Sequence, residues 1–101
     1  MSAAKKLIVV GGANGTGKTT FALRYAWTHQ LPYIGADDIA ARMAPDNPTR
    51  VQIAAGREFV HTTNRCIDAG ESVIVESTIA GKSFAKTTER AKKQGFRIVL
   101  Y

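Results

Sequence analysis

"GGANGTGKTT" (residues 11–20) follows without a break on the apolar run "LIVV" (7–10). Glycine loses more backbone freedom on ordering than any other residue, so a cluster of glycines at a strand's end needs a physical reason. Within the stretch, "GANGTGKT" (12–19) fills every fixed position of G-x-x-x-x-G-K-[ST]. At average composition such a match arises by chance in roughly a few of every thousand chains of this length. Its placement, after a strand and at the start of a helix, is the one a phosphate loop requires. Glycines let successive N–H groups turn inward around phosphate oxygens, and the helix N-terminus adds its partial positive charge. Gly12, Ala13, Asn14, Gly15, Thr16, Gly17, Lys18, Thr19 and Thr20 are therefore the candidate nucleotide-binding residues. Lys18 is placed to reach the β- and γ-phosphates, and the Thr19 hydroxyl to hold Mg²⁺, with ATP or GTP as the nucleotide.

A dinucleotide loop is the rival reading. Gly15, Thr16 and Gly17 also begin G-x-G-x-x-G, and Asp37 lies 20 residues after Gly17, where such a fold binds ribose. Thr20 occupies the place of the third glycine, and a dinucleotide site has no use for a lysine aimed at the pyrophosphate.

Working outward, the chain alternates strand and helix. Strands are predicted at 5–10, 32–36, 72–77 and 96–101, and helices at 17–30, 37–44, about 47–69 and 82–94. Pro32 stops the first helix. Asn47 and Pro48 suit the N-cap and first position of the third, and Gly70 and Gly95 close the third and fourth. In the long third helix Ile53, Val60 and Ile67 recur at sevenfold spacing beside Phe59 and Cys66, which predicts its buried face. Strands with nearly unbroken Val/Ile runs, separated by helices, imply a parallel sheet covered on both faces. The expected fold is a three-layer α/β/α sandwich of the P-loop NTPase kind, with residues 1–101 as a single domain.

Two acidic signals stand at strand ends, where open α/β sheets bind ligands. Glu76 ends "VIVE" (73–76); it could order Mg²⁺ through water beside Thr19, hold an acceptor substrate, or simply be a surface carboxylate. Asp37 and Asp38 follow the second strand. Asp37 is the preferred base for an acceptor hydroxyl, and one of the pair is expected to cap the helix after it.

The chain's 101 residues carry a formal charge of +6, which admits nucleic acid as a partner. Lys82, Lys86, Arg90 and Lys93 share one helix face, but no aromatic residues interleave with them as single-strand binding requires, so a solvated face is the plainer expectation. No apolar stretch approaches the roughly 20 residues of a membrane helix. Cys66, the single cysteine, fits no zinc spacing with His29 and His61 and makes no internal disulfide, so a reducing cytoplasm is expected.

The order "GGANGTGKTT", "YIGADDIAARMAPDNP", "AAGREF", "DAGESVIVESTIAGKSF" resembles the zeta toxin family of P-loop kinases and their bacterial relatives across nearly the whole chain. The resemblance implies a fold like adenylate and shikimate kinases, with strand order 2-3-1-4 here and a fifth strand missing. It implies ATP-dependent phosphorylation of the sugar 3′-hydroxyl of UDP-N-acetylglucosamine, and an antitoxin protein that blocks the ATP site. It makes Lys18 and Thr19 the nucleotide and Mg²⁺ residues, Asp37 the base, and Glu76 and Thr78 a substrate-binding pair. Arg57 fills the arginine of a "GR" helix motif, and Lys82 falls near a position where many members carry arginine. Family members run past Tyr101, so the lid arginines and part of the adenine pocket are expected to be missing. The alternative to an active kinase is a non-catalytic nucleotide-binding remnant or module.

Overall fold

The apolar run 7–10 forms β1 (Lys6–Val10), and "VIVE" forms β3 (Val73–Glu76), paired with it in parallel so that Leu7 meets Val73 and Val10 meets Glu76. The computed structural model describes residues 5–11, 17–76 and 82–100. β2 (Tyr33–Gly35) and β4 (Arg97–Leu100) complete a sheet of four strands in the order β2-β3-β1-β4, with every pairing parallel. This is the expected order, built from the expected strands. At the start of β1 the Lys6 N–H donates to Ser72 Oγ, just ahead of β3, at 2.9 Å.

Alternation along the strands sorts the core into two faces, as a side-chain period of two requires. Ile8, Val10 and Ile74 face one way and pack with Ala22 and Ala26 of α1 (Lys18–His29). Leu7, Val73 and Val75 face the other way, toward α2 (Ala36–Met43), α3 (Gln52–Asp68) and α4 (Lys82–Lys93). Phe59 of α3 and Phe84 of α4 meet there with ring centroids 5.7 Å apart. The result is the three-layer sandwich anticipated from the strand composition.

Three helices end with the same reversal. The N–H groups of Leu31, Glu71 and Phe96 reach back to the carbonyls of Ala26, Cys66 and Ala91 at 2.9, 2.9 and 3.0 Å. The residue before each is left-handed: Gln30, Gly70 and Gly95. Pro32 follows the first of these directly.

Local expectations were corrected in three places. The third helix does not begin at Pro48; Pro48–Val51 is a 3₁₀ turn, Val51 stands at the N-cap of α3, and no side chain caps it. Neither Asp37 nor Asp38 caps α2, because Gly35, with an extended backbone, precedes a helix already begun at Ala36. Both acids lie in the first turn, where they oppose the positive helix end, and Asp38 meets Arg42 at 3.5 Å.

The third correction concerns Ile53: Phe59 and Ile67 of the predicted α3 face are buried and Val60 and Cys66 pack half-buried against the core, but Ile53 does not join them. The buried residues of α3 are Ala55, Phe59, Thr63 and Ile67, spaced by fours, and Ile53 is 79% exposed. An i, i+4 row advances by about 40° per step, whereas a heptad row falls back by about 20°. The two rows cross at Ile67 and have parted by Ile53. Thr63 is fully buried without penalty because its hydroxyl donates to the Phe59 carbonyl at 2.7 Å.

The basic face of α4 is only partly a solvated one. The Arg90 guanidinium donates twice to Asp68, through Nε at 2.8 Å and through a second, shorter contact, and Gln94 donates to the same carboxylate at 2.9 Å. These bonds tie the ends of α3 and α4 and hold the Asp68 carboxyl at about 2. Lys86 and Lys93 are exposed; the side chain of Lys82 lies outside the described residues.

Two outcomes are expected. Ile67→Ala should cost about 2–5 kcal/mol in denaturant unfolding, while Ile53→Ala stays within about 0.5 kcal/mol. Arg90→Ala should return the Asp68 carboxyl toward 3.8, read by NMR titration. The folded form's lowered value stabilises it above pH 3.8, and that contribution disappears as pH falls through about 2.

Candidate functional site

Because all four strands run the same way, their carboxyl ends share one edge of the sheet, and the sequence leaves β1 there through the phosphate-loop motif. Gly11 follows β1 and Gly17 precedes α1. Gly17 has φ 78 and ψ 8, a left-handed conformation that a side chain disfavours, and it stands at the N-cap with no side-chain hydrogen bond closing the helix end. The first N–H groups of an α-helix have no partner within the helix, and Gly17 offers them no side chain. Gly12, Ala13, Asn14, Gly15 and Thr16 lie outside the described residues, as does Thr78. Lys18, Thr19 and Thr20 form the first turn of α1; the side chains of Lys18 and Thr19 are likewise outside the description, and Thr20 is exposed.

Glu76 ends β3 between the ends of its neighbours, level with Val10 of β1 on one side and Gly35 of β2 on the other. By strand alternation it shares the α1 face with Val10. It is only 7% exposed, which makes the surface-carboxylate reading untenable. A carboxylate at that depth requires hydrogen-bond donors, and one is the Tyr33 hydroxyl, which donates to Glu76 Oε1 at 2.7 Å. Hydrogen bonds to charged groups are worth about 1.5–3 kcal/mol, above the neutral average.

Tyr33 was not among the residues singled out from the sequence. Its surroundings raise the phenol well above the ordinary value of 10.0: burial is the largest cause, then the hydrogen bond to Glu76 and that carboxylate's charge, then Asp38 and Asp37. The two aspartates are thus close enough to act on the phenol, and Tyr33 joins Glu76 and the start of α2 in one acidic neighbourhood. Asp37 itself is exposed. Arg57 is exposed on α3 and makes no ion pair among the described residues. Beside β2 a cavity of about 480 Å³ opens toward α2 and α3, lined by Tyr33, Ile34, Ile39, Met43, Glu58 and Thr62 among others.

The donor set suits a small hard cation. The acids at the strand ends offer oxygen only, and Mg²⁺ prefers one or two carboxylates together with substrate phosphates and water over an all-protein cage. Among the described residues no group of three His, Cys, Asp or Glu forms such a cage. Cys66 is no rival nucleophile: burial chiefly, and the Glu71 charge next, push its thiol up.

A family model described as an AAA domain matches residues 7–100. The chain belongs to the AAA domain family. An uncharacterized protein of Haemophilus influenzae is 33% identical over 95 residues, covering 94% of this chain and 67% of that protein. Among solved structures, a kinase candidate from Chloroflexus aurantiacus superposes with TM-score 0.78 at 24% identity, covering 96% of this chain and 58% of the other. A chain of the PezAT chromosomal toxin–antitoxin system of Streptococcus pneumoniae gives 0.77 at 20% identity, with 98% and 47% covered. A gluconokinase from Sinorhizobium meliloti gives 0.58 at 17% identity, with 95% and 56% covered. The AAA domain described here thus has the parallel, kinase-like P-loop fold of these neighbours and spans about half the length of the solved chains it matches. No helix among its described residues is long and apolar enough to cross a membrane.

The acidic neighbourhood has a spectroscopic consequence. Tyr33, one of three tyrosines, should remain protonated in an alkaline titration after the unfolded chain's phenols have ionised. A raised value in the folded form means that stability contributed by Tyr33 is complete below pH 10.0 and declines as pH rises beyond it. Phenolate absorbance should show a late phase, absent in Tyr33→Phe.

Proposed function

We propose that this AAA domain is a nucleotide-dependent small-molecule kinase, transferring the γ-phosphoryl group of ATP or GTP to a hydroxyl of a small metabolite. The observation that carries the reading is that the start of α1, behind the phosphate-loop motif, shares one sheet edge with the Glu76 and Asp37 carboxylates. The kinase-like fold supports it.

In this reading residues 12–20 cradle the nucleotide phosphates, with the Lys18 ammonium drawing charge from the β- and γ-oxygens. Thr19, with Glu76 through water, would hold Mg²⁺, which neutralises phosphate charge when bound. Asp37 accepts the proton of the acceptor hydroxyl as its oxygen bonds to the γ-phosphorus and the bond to the β,γ-bridging oxygen breaks, leaving the nucleoside diphosphate. Glu76, Thr78, Arg57 and Lys82 are assigned to the acceptor. Most of the rate gain would come from positioning and charge, since phosphoryl transfer needs little covalent help from protein.

UDP-N-acetylglucosamine is the first acceptor to test, on the quoted resemblance to zeta toxins. The likeness to a chain of a toxin–antitoxin system supports testing an antitoxin protein as a partner. A reducing cytoplasm remains the proposed setting.

Calorimetry should show saturable, Mg²⁺-dependent ATP binding by the 101-residue chain, abolished in a folded Lys18→Ala variant. Asp37→Asn should keep that binding and lose phosphate transfer, by about 10²-fold or more. Binding without turnover in the wild type would instead favour a nucleotide-binding module. Loss of ATP affinity in Asp37→Asn would move that residue from base to nucleotide or metal ligand.

A further inference from the structure

Tyr33 and Glu76 stand 43 residues apart in the chain and meet through a 2.7 Å hydrogen bond. In the β2–β3 register Gly35 is opposite Glu76, so Tyr33 lies two positions back on the same face of the sheet. To reach the carboxylate its ring must run along the strand over residue 35. A Cβ there would lie 2.5 Å from the phenol oxygen and 3.0 Å from ring Cζ. Real Cβ atoms do not approach so closely, so the missing side chain of Gly35 is the passage the phenol uses.

A glutamate carboxylate turns about three bonds and, unsupported, samples several orientations. A group that must meet a bound ligand performs poorly when its supporting shell leaves it loose. Glu76 is buried at the strand end level with Val10, the last residue of β1 before the glycine loop, so its orientation decides what it presents to anything held there.

We propose that Tyr33 is a positioning residue: its phenol fixes the Glu76 carboxylate in the orientation used toward the ligand, and Gly35 keeps the path open. This rests on the phosphotransfer reading above. Tyr33 touches no reacting atom and acts through Glu76.

The test is a cycle on the full chain: wild type, Tyr33→Phe, Glu76→Gln and the double variant. Tyr33→Phe keeps the ring and its packing and removes the donor. It should lower kcat about tenfold, with the nucleotide KM within about twofold, and should cost nothing further in the Glu76→Gln background. Equal losses in both backgrounds, or a loss tracking melting temperature alone, overturn the proposal. Gly35→Ala, which displaces the phenol, should lower kcat in the wild type but add little to Tyr33→Phe; a harmless Gly35→Ala also counts against it. Absence of turnover by the folded wild type sinks the phosphotransfer reading instead. The pairing is then read by carbon-13 NMR of the Glu76 side-chain carboxyl, whose resonance should shift or broaden in Tyr33→Phe; an unchanged resonance overturns it.

Discussion

The parallel pairing of β1 between β3 and β4 is the constraint on which the rest of the molecule depends. It buries Leu7 and Ile8 completely, which only a strand with neighbours on both sides and helices on both faces allows. It also fixes direction. Each crossover must return the chain to the opposite edge before the next strand begins, so every strand delivers its carboxyl end to the same rim. The glycine-rich exit from β1, Glu76 at the end of β3 and the start of α2 after β2 converge there without any direct link in sequence. Register then does the fine placement. With Val10 and Gly35 flanking Glu76, the buried carboxylate sits between the exit to the phosphate loop and the exit to the aspartates.

How much of this could be read from the residues follows from the range of the interactions involved. β1 and β3 were legible because a strand covered on both faces must be apolar at nearly every position, and "LIVV" and "VIVE" are. The helix endings were legible because the reversal is local, and Gly70 and Gly95 announce it. Gln30 takes the same left-handed position without being glycine, and only the following Pro32 hinted at it. On α3 only Ile53 was misplaced, because sevenfold spacing and fourfold spacing coincide over short windows. Which one the sheet selects is a tertiary fact. The aspartates were misread as caps because a cap depends on where the helix begins, and Ala36 begins it one residue early.

The candidate site divides along the same line. The phosphate-loop motif is contiguous, so its chemistry is visible in ten residues. The burial of Glu76 and its bond to Tyr33 depend on two strands pairing across 43 residues, and no local pattern encodes that register. A retrospective signal does exist in "YIG" (33–35): an aromatic followed two places later by glycine on one strand face leaves room for the ring to lie along the strand. It becomes informative only when the opposing strand is known to end in an acid.

The two faces of the sheet are unequally clothed, and the site lies on the thinner side. α2, α3 and α4 share one face, with Phe59, Phe84, Ile67 and Phe96 filling it. On the other, the described side chains that α1 buries fully are Ala22 and Ala26, with Tyr25 half-buried beside them; its Trp27 is 86% exposed and Leu23 49%. Small residues bring the helix close to the sheet but supply little apolar area, so α1 gains less from burial than the opposite layer does. Elements with few buried apolar contacts open at lower free energy than the core they rest on. α1 rests on the sheet through less buried apolar area than the opposite layer does. The strand ends carrying Glu76 and Tyr33 belong to the sheet, whose ladder and opposite layer hold them. Precision at this site is accordingly expected to come from the β2–β3 register and the Tyr33–Glu76 bond.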